Sequence, residues 1–268
     1  MRKIDGHIHT PFCPHGTGDT LEKYVEKAIE ENFHEITFTE HAPLPKGFVD
    51  PTPLRDSSMS LEKLADYFQS IERLKEKYQN RIIINIGLEV DFIRGYEDEI
   101  TGFLNQYGSF LTDSILSVHF IKLDDQYFCI DYDEVTFGEM VKRVGSLEKL
   151  HRLYYEAVLT SVNTDLGKYK PKRIGHLTLA HKFQKLFPVH FDFSNSIQTI
   201  LQAIVREEMQ IDYNVAGLRK EFCGETYPQN WIAHLAIQKK IPLVYGSDAH
   251  SARDLGMNYQ AYKELELS

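Results

Sequence analysis

The chain has 268 residues, of which 42% are hydrophobic and 26% are charged. This composition excludes a disordered or collagen-like chain and supplies enough apolar side chains for a sizeable core. With 30 basic and 39 acidic residues, the formal net charge is −9. Such a charge argues against a general nucleic-acid or anionic-membrane surface, because both require basic patches.

The chain is predicted to be one cytoplasmic domain over residues 1–268. No low-complexity segment, internal repeat or Pro/Gly-rich linker divides it. Its longest apolar runs, such as the one that begins at Arg81, are too short to span a membrane, and the N-terminus lacks the apolar segment of a secretory signal. The cysteines at positions 13, 129 and 223 are odd in number and widely spaced, which is typical of a reducing compartment.

Seven short segments have the composition of β-strands, and each is bounded by polar residues, glycine or proline. In chain order they span residues 3–9, 35–41, 82–89, 114–119, 173–176, 210–214 and 242–248. Strands that alternate with helices indicate parallel βαβ units, and seven of them favour a closed or nearly closed α/β barrel. A doubly wound sheet is the alternative. No strand is followed by a GxGxxG or P-loop sequence, so nothing indicates a nucleotide-binding sheet.

Helical periodicity appears between several of these strands. Asp19 and Glu22 resemble a capping box, and Ser60, Ser146 and Ser194 begin further helical stretches. A last helix is predicted over residues 231–240. The apolar face of the first helix contains Leu21, Tyr24, Val25, Ala28 and Ile29. That of the second contains Leu61, Leu64, Ala65, Phe68 and Ile71. That of the fourth contains Ile197, Ile200, Leu201, Ile204 and Val205.

Residues that can bind metal ions stand at the ends of nearly all the predicted strands. In the first strand Asp5, His7 and His9 are two residues apart, so their side chains face the same side. The other strand ends carry His41 with Glu40 beside it, Glu89, His119, His176 and Asp248, while His15 and His250 follow the first and last strands. The carboxyl ends of barrel strands meet on one face, which is where the active sites of such barrels lie.

These donors outnumber what one ion can use, so two or three ions are predicted. Mixed imidazole and carboxylate ligands suit Zn, Fe or Mn. Two metals about 3.5–4 Å apart can share a hydroxide nucleophile and stabilise both oxygens of an in-line displacement on phosphorus.

The segments DGHIHTPFCPHG, TFTEHAP, GLEVDF, SVHF, IGHLTLAHKF, NVAGLRKE and GSDAH, in this order, resemble the polymerase and histidinol phosphatase (PHP) superfamily. The likeness is greatest to its histidinol-phosphate phosphatases and extends from Asp5 to about Gly256. It implies a distorted (β/α)7 TIM-like barrel with a trinuclear metal site. The implied reaction is hydrolysis of L-histidinol phosphate to L-histidinol and phosphate in histidine biosynthesis, by attack of a metal-bridging hydroxide on phosphorus.

The resemblance also implies a role for each donor. His7, His9, Glu89 and Asp248 would hold the first ion. Glu89 would bridge to a second ion, completed by His119 and His176, and the third ion would be held by His15, His41 and His250. Glu89, as the bridging ligand, and Asp248, as the group that shuttles the hydroxide proton, are the expected catalytic residues.

An anionic substrate of an acidic protein must meet local positive charge. Arg219, in NVAGLRKE, is the first candidate for a bidentate phosphate contact, followed by Lys182, where the family-like stretch often has Arg, and then Arg253. Asp91 and Tyr227 are considered for binding the amine and imidazole of the substrate. His181 is expected near the site, and His34, His151, His190 and His234 at the surface or in packing.

Three alternatives stay open. An amidohydrolase-type enzyme also begins with an HxH strand, but commonly carries a carboxylated lysine where Glu89 stands here. A second alternative keeps the fold and metals but acts on another phosphomonoester or on a nucleotide diester. The third is a regulatory or storage protein that binds metal without catalysis. Residues 42–59, rich in proline and polar side chains, are predicted to form a functional loop that covers the barrel mouth.

Overall fold

The computed structural model describes residues 2–266 and contains nine strands. They are β1 (Ile4–Ile8), β2 (Glu35–His41), β3 (Ile83–Asp91), β4 (Ile115–Ser117), β5 (Phe120–Leu123), β6 (Gln126–Cys129), β7 (Arg173–Ile174), β8 (Gln210–Asn214) and β9 (Leu243–Gly246). Seven of them form one sheet in the order β1-β2-β3-β4-β7-β8-β9, with every pairing parallel. The other two, β5 and β6, form an antiparallel hairpin.

The two edges of the sheet meet just beyond β9. The backbone N–H of His9 donates to the carbonyl of Ala249 (3.0 Å), and the N–H of Asp248 donates to the carbonyl of His7 (2.8 Å). A parallel bridge between Ile8 and Ala249 completes the contact. These bonds join the first and last strands, so the predicted (β/α)7 barrel is confirmed and the doubly wound alternative is excluded.

Eight helices surround the sheet in the described residues. They are α1 (Leu21–Glu30), α2 (Leu64–Tyr78), α3 (Glu97–Tyr107), α4 (Glu134–Val144), α5 (Leu147–Asn163), α6 (Ser194–Arg206), α7 (Asn230–Gln238) and α8 (Tyr259–Glu266). Five of them were predicted, whereas α3, α4, α8 and the β5–β6 hairpin were not. None of the helices within residues 2–266 is long and apolar enough to cross a membrane.

Four details of the predicted helices were wrong, and one is that Ala65, predicted on the apolar face of α2, is exposed. Thr20, not Asp19, caps α1 by accepting from the N–H of Lys23, while Asp19 accepts from the N–H of Ala252 (3.1 Å). Leu61 is 55% exposed because it belongs to a short 3-10 turn before α2, where the α-helical period does not apply. Val205 is 47% exposed, so the buried stripe of α6 ends at Ile204.

The barrel is buried on both faces of its strands, as parallel sheets usually are. On β1 the side chain of Ile8 packs in the apolar core, and Asp5 and His7 are also fully buried. Arg173 extends through the interior to the carbonyl of Gly6 (2.8 Å) and to Asp113 Oδ2 (2.7 Å). A Cβ on Gly6 would lie 2.1 Å from Arg173 Nη1, which explains a glycine in the DGHIH segment.

Candidate metal centre

The first group of donors lies where β1, β3 and the residues after β9 come together. His7 Nε2 and His9 Nε2 are 3.3 Å apart. Glu89 Oε2 lies 3.5 Å from the former and 3.6 Å from the latter. Asp248 Oδ1 completes the group at 3.2 Å from His9 Nε2. The four residues therefore converge as the resemblance implied.

Glu89 contacts a second group through its other oxygen. Its Oε1 lies 2.8 Å from His176 Nε2 and 3.9 Å from His119 Nε2, and it accepts a hydrogen bond from the Ser117 hydroxyl (2.6 Å). Because its two oxygens face two different sets of imidazoles, Glu89 has the geometry of a bridging ligand.

A third group of donors lies nearer the solvent. His15 Nε2 and His250 Nε2 are 3.2 Å apart, and the His41 ring is centred 5.1 Å from that of His15. His41 Nδ1 also lies 3.1 Å from Glu89 Oε2, so this group is continuous with the first. Cys13, which sequence reasoning set aside, is buried here, and its sulfur lies within 4.8 Å of ligand atoms of His9, His41 and His250.

Several of these imidazoles have one nitrogen fixed by an oxygen of the chain. His119 Nδ1 contacts Asp91 Oδ1 at 2.7 Å, His15 Nδ1 contacts the carbonyl of Asp56 at 2.8 Å, and His250 Nδ1 contacts the carbonyl of Asp248 at 3.2 Å. A neutral imidazole that donates from Nδ1 keeps the lone pair of Nε2 free. All three rings turn Nε2 towards the other donors, as metal-binding histidines do.

The electrostatics of the cluster favour ionised carboxylates. Burial alone would raise the pKa of Glu89, but His7 and His119 outweigh it and hold that pKa well below its usual value. Asp248 shows the same balance, with His7 and His9 lowering its pKa against the effect of burial. Burial lowers the pKa of His41, and neighbouring His9 lowers it further, so this ring is neutral at pH 7. Ionised carboxylates and the neutral ring of His41 are in the forms that bind metal ions, whereas neighbouring carboxylates raise the pKa of His9 to about 9, so a metal ion would have to displace a proton there.

The donors open into a cavity of about 480 Å³, which three cations also line. Arg219 Nη2 donates to the carbonyl of Ser247 (3.1 Å), while its buried Nη1 has no partner among the described residues. Lys182 donates to the carbonyl and carboxylate of Asp131. Lys220, which sequence reasoning missed, is exposed at the mouth, and its ammonium group forms no hydrogen bond or ion pair within residues 2–266. Its position directly after Arg219 was the available signal.

The other predicted site residues lie in different places. The side chain of Arg253 is 88% exposed and lines a separate surface pocket. Asp91 contacts His119, and Tyr227 is buried and lines the same cavity as the donors. His181 lies in a neighbouring cavity, where its Nε2 contacts the Tyr155 hydroxyl.

The segment over residues 42–59 forms one wall of the cavity. Thr52, Asp56 and Ser57 line it. Asp50 organises the segment, because its carboxylate accepts from the N–H groups of Thr52 (2.9 Å) and Ser57 (3.1 Å). Through the carbonyl of Asp56 the segment also fixes the His15 ring. Its predicted function as a cover of the mouth stays a prediction.

Comparison with known proteins agrees with this geometry. The family model described as the PHP domain matches residues 5–216. A histidinol-phosphatase of Bacillus subtilis (strain 168) is 52% identical over 268 residues, which covers 98% of this chain and 99% of the relative. A solved structure from Listeria monocytogenes, assigned as the histidinol phosphatase HisK, is 40% identical and superposes with a TM-score of 0.92 over 97% of this chain and 100% of its own.

A histidinol phosphate phosphatase of Lactococcus lactis shares the fold at lower identity. Its crystal structure holds Zn, L-histidinol and phosphate, and it superposes with a TM-score of 0.73 at 21% identity, over 98% of this chain and 92% of its own. The family model covers well over half of the chain, and the Bacillus relative matches it almost from end to end. The chain therefore belongs to the PHP domain family and, within it, to the histidinol-phosphatases.

Proposed function

We propose that this chain hydrolyses L-histidinol phosphate to L-histidinol and inorganic phosphate, and that it uses two to three divalent ions of Zn, Fe or Mn. The observation that carries the proposal is the meeting of nine metal-competent side chains at one end of the barrel, in a chain 52% identical to a histidinol-phosphatase. We also propose that it works in the cytoplasm, on the basis of its three unpaired cysteines.

The donors fit the metals by chemistry and by spacing. His7, His9, Glu89 and Asp248 would hold the first ion. The remaining ligands are Glu89 with His119 and His176 for the second ion, and His15, His41 and His250 for the third. When bound, such ions supply Lewis-acid charge and lower the pKa of a bound water, which provides a nucleophile at neutral pH.

Two acidic side chains would carry the catalytic roles. Glu89 is almost fully buried and bonded to Ser117, so its two oxygens are held in fixed positions. Asp248 is the more accessible carboxylate, since its side chain is 19% exposed and lines the cavity. We therefore assign to Asp248 the acceptance of the proton released when water attacks phosphorus. Its left-handed backbone (φ 51°) turns its N–H to the His7 carbonyl and fixes it at the rim.

The cations at the mouth would bind the phosphoryl oxygens. Arg219 has one buried nitrogen without a partner, and Lys220 has a free ammonium group in the part of the chain that the structure describes. Lys182 directs two of its three donors at Asp131 and so offers less to a substrate. Arg219 and Lys220 are therefore the main proposed phosphate contacts, with Lys182 as the third. Arg253 lines an adjoining surface pocket, which it shares with Arg219, and does not line the cavity itself, so it is not among the main proposed contacts.

A phosphate-release assay on L-histidinol phosphate, beside a panel of other phosphomonoesters and one nucleotide diester, tests the proposal. The expected result is a kcat/KM for L-histidinol phosphate that exceeds every other by at least about tenfold, since the binding energy of the whole substrate assists the reaction. A clear preference for another ester would overturn the substrate and leave the metal centre untouched. No turnover of any ester by metal-loaded protein would favour a binding or storage protein.

A further inference from the structure

Asp212 is a carboxylate inside the barrel to which none of the roles above applies. It lies on β8, is fully buried, and its Oδ2 is 2.8 Å from Nδ1 of the equally buried His7. Its other oxygen, Oδ1, has no hydrogen-bond partner among residues 2–266. A buried carboxylate with so few donors is costly unless positive charge compensates it. Among the described residues, the His7 ring is the only imidazole that contacts Asp212 Oδ2, so positive charge on or beyond that ring is what can compensate the carboxylate.

Asn214 lies two residues further along β8, on the same side of the strand. Its Oδ1 accepts from the N–H of Ala216 (2.9 Å), which fixes the orientation of the amide. Nδ2 must then point inwards, where it donates to Asp212 Oδ2 (3.2 Å) and to Asp248 Oδ2 (3.1 Å). One amide therefore joins the carboxylate behind His7 to the carboxylate beside His9.

A glycine on the neighbouring strand makes room for this arrangement. Gly246 on β9 is the register partner of Asn214. A Cβ at this position would lie 2.2 Å from Asp212 Oδ1 and 2.7 Å from the Cβ of His7. The backbone of β9 can approach the Asp212–His7 contact only because no side chain stands there, so three adjacent strands are fitted to this contact.

We propose that Asp212 and Asn214 are positioning residues for the first ion, an inference that rests on the metal-dependent function proposed above. Asp212 accepts the proton of His7 Nδ1, which selects the tautomer whose Nε2 lone pair faces Glu89 and Asp248. Asn214 holds Asp212 and Asp248 at a fixed separation. The carboxylate that orients His7 is thereby also linked to the orientation of Asp248. Neither residue binds the ion itself.

Zinc affinity of the Asp212→Asn variant tests the first half of the proposal. The substitution keeps the shape and removes the charge that orients His7. We expect one ion per chain to be released to a competing chelator about 10–100-fold more readily, with the remaining zinc held as in the parent. Excess zinc should restore activity. The matched variant Asp91→Asn removes the corresponding carboxylate behind His119 and should weaken a different ion, so that the double variant loses both.

Zinc affinity within twofold of the parent in folded Asp212→Asn protein would overturn the assignment of Asp212. If Asp212→Asn does not fold, the Asn214→Ala variant still tests the proposal, because it leaves the Asp212–His7 contact in place. We expect Asn214→Ala to keep its KM while kcat at saturating zinc falls at least about tenfold, because it loses its hydrogen bonds to the carboxylates of Asp212 and Asp248. An unchanged kcat and zinc affinity would contradict it. The zinc titrations need no substrate, so they stay decisive even if L-histidinol phosphate proves to be the wrong ester.

Discussion

His9 at the rim and two packed histidines elsewhere in the protein are all buried, but their pKa values are shifted in opposite directions. At the rim, the pKa of His9 is raised to about 9, because Asp248 and Glu40 outweigh the lowering effect of burial. His151 on α5 and His181 pack 4.8 Å apart among aromatic rings, and burial lowers their pKa values to about 3 and about 4. Burial is almost the same in the two places, with all three side chains no more than 4% exposed. The carboxylate neighbours of His9 make the difference in pKa, since the two packed rings have aromatic and imidazole neighbours instead.

Histidine substitutions test this difference with the largest expected effect. His9→Ala should reduce kcat by orders of magnitude, because it removes a ligand between the first and third groups of donors. His151→Phe should leave kcat within about twofold, because that ring packs among aromatic side chains away from the metal-competent donors. Steady-state phosphate release with metal in excess measures both. Comparable losses of kcat in folded samples of the two variants would show that His9 is no more important for catalysis than His151.

Arginine substitutions sharpen the comparison at the mouth. Arg219→Ala should raise KM for L-histidinol phosphate about 10–100-fold, the effect of losing a charge-assisted hydrogen bond to phosphate. Arg253→Ala is the control, since that side chain is 88% exposed outside the catalytic cavity. Initial rates over a wide range of substrate concentration give both constants. A change of twofold or less in Arg219→Ala would remove this contact from the proposed site.

Lys220 and Lys182 provide a smaller effect of the same kind. We expect Lys220→Ala to raise KM about tenfold because its ammonium group is uncommitted, and Lys182→Ala to act partly through the release of Asp131. Phosphate inhibition separates the two cases. In Lys220→Ala the inhibition constant of phosphate should rise in proportion to KM. A rise in KM without weaker phosphate inhibition would show that Lys220 contacts another part of the substrate.

The smallest expected effect is on the pH dependence of the free energy of unfolding. In the unfolded chain His151 titrates near pH 6.5, whereas burial lowers its folded pKa to about 3. Between these values the unfolded state binds a proton that the folded state does not, so the free energy of unfolding falls as pH falls. The loss is a few kcal/mol, at about 1.4 kcal/mol for each pKa unit. His151→Phe should flatten this dependence between pH 6.5 and 4.

Urea unfolding of metal-stripped parent and variant at several pH values measures this slope without interference from metal loss. His190→Gln, at an exposed position, should keep the slope of the parent. Parallel curves for parent and His151→Phe would show that His151 is not protected from protons in the folded protein.

The barrel and its metal-competent side chains could be foreseen from sequence because both follow local rules. Strand periodicity places His7 and His9 on one side, and strand ends share one rim. What could not be foreseen depends on distant pairings. Asp212 resembles any polar residue in a strand until closure of the barrel brings it against His7. The contact between Lys182 and Asp131 likewise becomes visible only when the hairpin is in place.

Some helix predictions were wrong because sequence periodicity describes only regular helices with a clear apolar face. The 3.6-residue period predicts a buried face only while the helix is regular, so Leu61 was misplaced where a 3-10 turn precedes α2. The helices α3 and α4 have weak apolar faces, since only two residues of each are buried. A weak apolar stripe gives little signal, although the helix still packs on the barrel.

Elemental analysis of the purified chain, with phosphate release measured on the same sample, tests the central claim most directly. We predict two to three divalent ions per chain, loss of turnover of L-histidinol phosphate when a chelator removes them, and recovery when zinc or manganese is returned. Full turnover by protein that carries less than one ion per chain would contradict the account.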